Sequence, residues 1–356
     1  MNLYRTVRSF IGRNIVWPFE DFCAVHRPEI YEFIFYNIRH TTRSEDWGDV
    51  LFMHTVGMED FIKLKREQDF VLRIPLNFPV VPKKLRVAAI IHVFYPELAK
   101  QIKTFLQNIP CAVDVFISTT SDEKRIATEK IFGDFDKGSV TIRVFPNRGR
   151  DLAAAVVGFR DIYDNYDFCV HLHTKKSPHA ATVLAGWREQ LYRNLLGSPE
   201  IVGSIFEILS HDNVGLVFPQ YFPPVRVSIN WGENYLNTKT FMNKLGINID
   251  THNLVEFPAG SMFWFKPKAL APLLDMGLTF DDFPEERGQI DGTLAHAIER
   301  SFLFVVESAG FDWVKVTGDE KFFNITPVLK SYSQEELTEN IAKTRHSVLK
   351  TYKKIV

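Results

Sequence analysis

The amino-acid sequence predicts an α/β fold in which a mostly parallel sheet is flanked by helices. Four apolar runs lie between residues 85 and 174, and a helical pattern separates each run from the next. Near-continuous apolar runs are typical of strands that are buried on both faces of a parallel sheet. Strands that alternate with helices indicate right-handed βαβ units.

The four predicted strands read, in chain order, LRVAAIIHVFY, CAVDVFISTT, SVTIRVFP and YDFCVHLHT. Pro96 stands near the start of the first intervening helix, where proline is favoured. Ser121 and the acidic residues after it mark the start of the second helix. The third helix follows residues 147–151 and is expected to extend to about residue 163.

The second half of the chain continues the mixture of helices and strands. Helical patterns cover AGWREQLYRNLLG and PEIVGSIFEILSH, and VGLVFPQ is a further strand. Residues 221–256 are irregular and rich in polar and aromatic residues. A strand around Trp264 and a helix that begins at a proline come next, then a helix with a strand-like tail. The last stretch, from Ser333, predicts an amphipathic helix.

These patterns divide the chain into three parts. Residues 1–84 are predicted to be a mainly helical extension, residues 85–320 the sheet domain, and residues 321–356 a helical tail. The first residues do not resemble a signal peptide, because charged residues interrupt their apolar positions. Residues 3–17 predict a basic amphipathic helix, for which we favour packing on its own domain over attachment to a membrane surface.

Composition narrows the class of partner. The 356 residues are 46% hydrophobic and 24% charged, with a net charge of −1, so an overall basic field for nucleic acid is not expected. The three cysteines, Cys23, Cys111 and Cys169, are far apart and form no CxxC pair. This usage fits a reducing, cytoplasmic compartment.

The third predicted strand leads into a charged turn, Asn147-Arg148-Gly149-Arg150-Asp151. Gly149 permits a tight turn, and the two arginines can bind phosphate oxygens. The carboxyl ends of strands in an open α/β sheet are where such folds bind ligands. We therefore favour an anion site, with a helix cap between two solvated arginines as the alternative.

The fourth predicted strand ends in a second charged turn, with His171, His173, Thr174, Lys175 and Lys176. The two histidines share one face of a strand, but two histidines alone make an incomplete metal site. We favour a hydrogen-bonded core role for His171. The two lysines can neutralise a diphosphate, and the alternative is a solvated basic turn.

Further candidates lie later in the chain. Asp291 stands near a helix start, where a carboxylate is either a cap or a general base. His296 either assists it or packs. Trp187, Trp231 and Trp264 are candidate platforms for sugar rings, with core packing as the alternative. The GxGxxG, GxxxxGK[ST], GxSxG and HExxH motifs are absent, so dinucleotide and P-loop enzymes are poorly supported.

Taken in order, these motifs resemble the rhamnan synthesis protein F family. The resemblance rests on NRGRD, on YDFCVHLHTKKS, on the stretch from Trp187 to Ser198, and on GSMFWFKPKALAPL and GQIDGTLAHAIER. It covers approximately residues 85–310. The family is implicated in building rhamnose-containing cell-surface polysaccharides, and its members look like glycosyltransferases with a GT-A, Rossmann-like fold.

The resemblance implies a division of the site residues. Donor-nucleotide contacts are expected from His92, Tyr95, Ser118, Asn147, Arg148, Gly149, Arg150, Asp151, His173, Thr174, Lys175 and Lys176. Acceptor contacts are expected from Trp231, Gly260, Ser261, Trp264 and Gln289, and a catalytic base is expected at Asp291. The GT-A metal motif, D-x-D, would fall where this chain has His171-Leu172-His173. No cofactor is therefore expected, with Mg²⁺ or Mn²⁺ as the alternative.

The resulting hypothesis is an inverting rhamnosyltransferase. It would use a nucleoside diphosphate sugar, with dTDP-rhamnose favoured, and extend an O-antigen or rhamnan-type glycan on a lipid-linked acceptor at the inner membrane face. A second hypothesis is a non-catalytic nucleotide- or glycan-binding protein on a transferase scaffold. A third is a metal-dependent hydrolase that uses His171, His173 and a carboxylate.

Overall fold

A computed structural model describes most of the chain from Asp69 onward. The described residues are 69–81, 84–175, 184, 186–249, 253–286, 291–319, 326–345 and 347–349. The predicted helix at 3–17 and two of the predicted site residues, Lys176 and Gln289, lie outside them.

The described strands form one sheet of nine, in the order β4-β3-β2-β5-β7-β6-β8-β1-β9. Strand β7 runs antiparallel to both of its neighbours, and the remaining pairs are parallel. The predicted class, a mostly parallel sheet flanked by helices, is therefore confirmed. The strands are β1 Val71–Arg73, β2 Val87–His92, β3 Val113–Thr119, β4 Val140–Val144, β5 Phe168–His173, β6 Val214–Pro219, β7 Phe263–Phe265, β8 Asp312–Thr317 and β9 Val328–Leu329.

Helices cover the sheet. The α-helices are α1 Ala99–Leu106, α2 Asp122–Phe132, α3 Arg150–Ala153, α4 Trp187–Leu196, α5 Pro199–Leu209, α6 Tyr235–Lys244, α7 Ala271–Leu274, α8 Leu294–Ser308 and α9 Gln334–Thr344. A π-helical turn, Ala154–Gly158, follows α3. Short 3₁₀ turns lie at Pro96–Leu98, Tyr163–Asn165, Pro223–Ser228, Gly232–Asn234, Pro267–Leu270 and Phe280–Asp282.

Local sequence explains why the central elements form. All six residues of β2 and all six of β5 are buried, as the apolar runs predict. The Ser121 side chain caps α2 by accepting a hydrogen bond from the Lys124 N–H at 3.3 Å. Ser198 caps α5 in the same way, at 3.3 Å from the Ile201 N–H.

Two predictions of element type were wrong. The helix expected from residue 151 to about 163 is only one α-helical turn, because it widens into the π-helical turn before Phe159. The strand-like tail after residue 291 is instead helix α8, which extends to Ser308 and buries Phe304, Val305 and Val306. The strand follows it, as β8.

The sheet takes strands from all three predicted parts of the chain. Strand β1 lies before residue 85 and pairs in parallel with both β8 and β9. Strand β9 lies after residue 320. None of the helices in the described part of the chain is both long and apolar enough to span a membrane.

Candidate active site

The carboxyl ends of three neighbouring strands bring predicted donor residues into one row. His92 at the end of β2 is in register with Ser118 of β3 and His173 of β5. His92 Nδ1 lies 2.8 Å from Ser118 Oγ, within hydrogen-bond distance. Thr174 Oγ1 accepts a hydrogen bond from the Tyr95 N–H at 3.0 Å, which joins the loops after β2 and β5. The register of the parallel sheet thus assembles this edge.

The turn before α3 is tight and left-handed. Gly149 has φ +63° and Arg150 has φ +56°, a region that side chains rarely adopt. A Cβ on Gly149 would lie 2.4 Å from Cδ1 of the buried Phe283 ring, so only glycine fits here. The carbonyl of Asn147 accepts a hydrogen bond from the Glu286 N–H at 3.4 Å. The turn is therefore anchored to residues 283–286.

Both arginines of this turn contact the same anchoring segment. Arg148 Nη1 donates to the Phe283 carbonyl at 2.9 Å, and its Nη2 lies 3.5 Å from Glu285 Oε1. Arg150 Nε donates to Glu286 Oε2 at 3.3 Å. Both arginines are therefore ion-paired as well as partly exposed: Arg148 holds the turn to residues 283–285, and Arg150 pairs with Glu286.

Asp151, one residue further, is buried among three histidines. Burial alone would raise its pKa, but His173, His171 and His92 outweigh this effect and the pKa is lowered. Burial lowers the pKa of His92 to about 4 and also lowers the pKa of His171. Asp151 Oδ2 and His171 Nε2 are 4.0 Å apart, and neither has a hydrogen-bond partner among the described residues. Unpaired buried polar atoms are costly, so this pair makes the cluster a candidate functional site.

The two histidines of β5 are held by a turn at residues 260–261. His171 Nδ1 lies 2.5 Å from the Ser261 carbonyl, and His173 Nε2 lies 2.7 Å from the Gly260 carbonyl. Because a carbonyl only accepts, each of these ring nitrogens is the donor. Glu299 Oε1 in turn accepts from the Gly260 N–H and the Ser261 hydroxyl, both at 3.0 Å. Gly260 and Ser261 therefore hold the two histidines in place, and their acceptor contacts stay a prediction.

Lys175 brings a cation to the centre of this cluster. Its Nζ lies 4.2 Å from the ring centroid of Trp187, in cation–π contact. Burial lowers the pKa of Lys175, while Glu299 and Asp151 oppose that effect. Trp187 thus supports a lysine and is not an open platform for a sugar ring.

Asp291 lies at the other end of the site, before α8. Its Oδ1 accepts a hydrogen bond from Asn234 Nδ2 at 2.6 Å and lies 3.8 Å from Arg300 Nη2. Its side chain is 29% exposed, so the carboxylate is accessible to solvent. His296 Nε2 lies 3.1 Å from Arg150 Nη1 and accepts from it, which connects α8 to the turn before α3.

The predicted stacking roles of two tryptophans were wrong. Trp264 is fully buried in β7, and its Nε1 donates to the Leu195 carbonyl at 3.0 Å. Trp231 is 4% exposed and stacks on Phe304 with ring centroids 6.0 Å apart. Both rings are covered by the protein's own core, as is usual for a lone tryptophan.

The sequence patterns also missed three residues of the site. Glu299 and Arg300 follow His296 by three and four positions, so all three lie on one face of α8. That spacing, with charged residues inside an otherwise apolar helix, is a signal that identifies them. Asn234 gives no such signal, because its contact with Asp291 joins distant parts of the chain.

The histidines and carboxylates of this cluster bear on metal binding. Among the described residues, no group of three or more histidine, cysteine, aspartate or glutamate side chains is placed to hold a metal ion. Each histidine of the H-x-H pair donates one ring nitrogen to a backbone carbonyl.

The family of the chain follows from a match to a known family profile. The profile of the rhamnan synthesis protein F family matches residues 52–311. The chain belongs to the rhamnan synthesis protein F family. The resemblance predicted from the NRGRD, HLHTKKS and later motifs is therefore confirmed.

Relatives of this rhamnan synthesis protein F member include two uncharacterized proteins named WxcX, from two strains of Xanthomonas campestris pv. campestris. Each is 40% identical over 186 residues, which is 51% of this chain and 26% of the relative. The chain thus spans about a quarter of the length of these relatives. A solved structure, the mannosyltransferase PcManGT from Pyrobaculum calidifontis in complex with GDP-Man and Mn²⁺, is 13% identical with a TM-score of 0.39, over 68% of this chain and 60% of that one.

Proposed function

We propose that the chain is a GT-A-type glycosyltransferase that transfers a sugar from a nucleoside diphosphate donor to a growing cell-surface polysaccharide. Membership of the rhamnan synthesis protein F family supports this class of reaction and favours rhamnose as the sugar, with dTDP-rhamnose as the donor. The observation that carries the proposal is the polar site itself. It groups two cations, a buried carboxylate and a partly exposed carboxylate near the carboxyl edge of the sheet.

The donor side is built around Arg150 and Lys175. Lys175 interacts electrostatically with both Asp151 and Arg150, and it follows the end of β5 by two residues. When the bond between the anomeric carbon and the diphosphate breaks, the leaving diphosphate gains negative charge. Fixed cations in a site with little water stabilise that charge more than water does. Arg150 and Lys175 are therefore the proposed counter-charges, and Lys176 is proposed to join them.

The acceptor side is proposed to lie at Asp291. In this mechanism Asp291 takes the proton of the acceptor hydroxyl. At the same time the hydroxyl oxygen forms a bond to the anomeric carbon, from the face opposite the diphosphate. The configuration at that carbon inverts, and the nucleoside diphosphate leaves. The proposed acceptor is a lipid-linked glycan at the inner membrane face, and the proposed compartment is the cytoplasm, which the cysteine usage favours.

The residue types at the end of β5 bear on the role of a metal. His171 and His173 replace the usual D-x-D carboxylates, and their donating nitrogens are held by backbone carbonyls. We propose that the cationic side chains take over the charge-balancing role. Binding of dTDP, UDP and GDP and of their sugars, measured by calorimetry with Mg²⁺, with Mn²⁺ and with chelator, tests this. Binding that persists in chelator is expected, and strict metal dependence would overturn it.

The Asp291→Asn variant tests the catalytic base. The amide cannot accept the proton, so we expect turnover to fall by at least about 100-fold while donor binding changes little. The measurement is sugar transfer alongside donor calorimetry. Asp164→Asn is the matched control, because that carboxylate is exposed and lies in the 3₁₀ turn Tyr163–Asn165, outside the proposed site. Full activity of Asp291→Asn would remove Asp291 as the base.

A non-catalytic binding protein is the second candidate function. The replacement of the D-x-D carboxylates by two carbonyl-bound histidines favours it. Donor binding at the same affinity with neither transfer nor hydrolysis, for all acceptors tried, would support this alternative over the transferase.

A further inference from the structure

A fully buried amide side chain lies against Asp291. Asn234 has no exposed surface, and it uses both ends of its amide. Its Nδ2 donates to Asp291 Oδ1 at 2.6 Å and to the Trp231 carbonyl at 3.2 Å, and its Oδ1 accepts from the Gly292 N–H at 3.1 Å. Because the amine meets two acceptors and the oxygen meets a donor, only one orientation of the amide satisfies all three bonds.

We infer that Asn234 is a positioning residue that fixes the carboxylate of Asp291 for proton abstraction. This inference rests on the proposed function, in which Asp291 is the base. The amide holds the Asp291 side chain and the backbone of the next residue, Gly292, at the same time. A carboxylate tied at one oxygen and at the adjacent peptide has little freedom to rotate. Reactions between positioned groups lose rate steeply when one of them is misplaced.

The segment around Asn234 is shaped to fit the carboxylate. Gly232 has φ +54°, and a Cβ on it would lie 2.8 Å from Asp291 Oδ2. A glycine is therefore required for the chain to pass this close to the side chain. Asn230, two residues earlier, accepts from Arg300 Nε through its carbonyl at 3.0 Å. Residues 230–234 thus surround Asp291 and hold the arginine beside it.

The charges around Asp291 also favour its role as a base. Arg300 Nη2 is 3.8 Å from Asp291 Oδ1, and His296 also interacts electrostatically with Asp291. Arg300 is buried over the ring of Phe257, with its guanidinium 5.1 Å from the ring centroid. A cation and an N–H donor both favour the ionised carboxylate, which is the form that accepts a proton.

The first test removes the amide. In Asn234→Ala we expect kcat to fall by about 100-fold, with the KM for the donor nearly unchanged. The matched control is Asn237→Ala. Asn237 lies three residues further, in the first turn of α6, and its Nδ2 donates to the carbonyl of Gly292 at 2.9 Å. We expect this control to keep the activity of the unmodified chain, and equal loss in both variants would overturn the inference.

The second test keeps the shape and changes the charge. Asn234→Asp places a carboxylate beside that of Asp291, and like charges disfavour ionisation of both. The acidic limb of the pH–rate profile is expected to move to higher pH by about one unit. A role confined to folding would not move this limb, so an unmoved profile would overturn the inference even if Asn234→Ala fails to fold.

The inference and the proposed function fail differently. If Asp291→Asn retains full turnover, the base itself is misassigned and both fall. If Asp291→Asn is inactive while both Asn234 variants behave like Asn237→Ala, the base stands and only the positioning role is overturned. Donor binding measured by calorimetry is expected to remain within about twofold in all of these variants, because they lie on the acceptor side.

Discussion

At the scale of single residues, Gly149 controls the geometry of the donor side. It and Arg150 are consecutive left-handed residues, which turn the chain sharply before α3. That turn directs Asp151 into the interior, where it meets the three histidines at the strand ends. The sequence motif therefore depends on its glycine as much as on its charges.

Gly149→Ala is expected to destabilise the protein by about 2–4 kcal/mol, as the sum of left-handed strain and overpacking. The new Cβ would lie 2.4 Å from Phe283 and 2.6 Å from Ala153, both buried. Gly246→Ala is the control, since Gly246 has φ +73° but nothing within 4 Å of the new Cβ. It is expected to cost only about 1 kcal/mol. Urea unfolding measures the free energy of unfolding of both variants. Equal losses would show that the Phe283 ring moves away from the new Cβ without cost.

At the scale of elements, helix α8 organises the site from one side. Its buried face carries His296, Glu299 and Arg300, which contact the turn before α3, the turn at residues 260–261, and Asp291. A single helix thus links the proposed donor and acceptor sides. Its capping box, with Thr293 Oγ1 2.8 Å from His296 Nδ1, fixes where this face begins.

Glu299→Ala is expected to weaken donor binding about tenfold, the equivalent of one charged hydrogen bond. Its Oε1 alone holds the N–H of Gly260 and the hydroxyl of Ser261, and their carbonyls hold His171 and His173. Glu299→Gln presents the same oxygen and is expected to retain most of the affinity. Calorimetry with nucleoside diphosphate measures both variants. An equal loss of donor affinity in the two variants would show that the charge of Glu299, and not its hydrogen bonds to Gly260 and Ser261, supports donor binding.

The sequence predicts elements best where the pattern is local. Strands β2 to β5 and helices α1 and α2 follow from apolar runs and helix-start signals, and the strand register then places His92, Ser118 and His173 together. Strand β8 was missed, because it buries Lys315, whose partner Asp69 is 246 residues away. Asn234 was missed for the same reason. Contacts between distant segments leave no trace in periodicity.

At the scale of the whole molecule, a buried ionic cluster joins the beginning of the described chain to its end. Asp69 forms ion pairs with Lys315 of β8 and, at 2.8 Å, with Arg226. It also accepts hydrogen bonds from Gln220 at 3.1 Å and from Thr326 at 3.0 Å. We therefore propose that the sheet domain extends at least to Asp69, because removal of the residues before 85 would remove the carboxylate that the buried Lys315 and Arg226 share and leave Lys315 only its pair with Glu256, at 3.5 Å.

Asp69→Asn is expected to cost about 3 kcal/mol, because it removes the carboxylate that Lys315 and Arg226 share, although Lys315 keeps its pair with Glu256 at 3.5 Å. Burial raises the pKa of Asp69, but those cations outweigh it and lower the pKa. The folded form therefore binds fewer protons than the unfolded chain below about pH 4, so this contribution is present above that pH and is lost as the pH falls. Urea unfolding across pH should show a shallower acid loss in the variant. The control is Glu189→Gln, which removes the charge of the exposed pair Glu189–Arg193 and should cost less than about 1 kcal/mol. If Asp69→Asn and Glu189→Gln lower the free energy of unfolding equally, water reaches the buried cluster and the prediction is wrong.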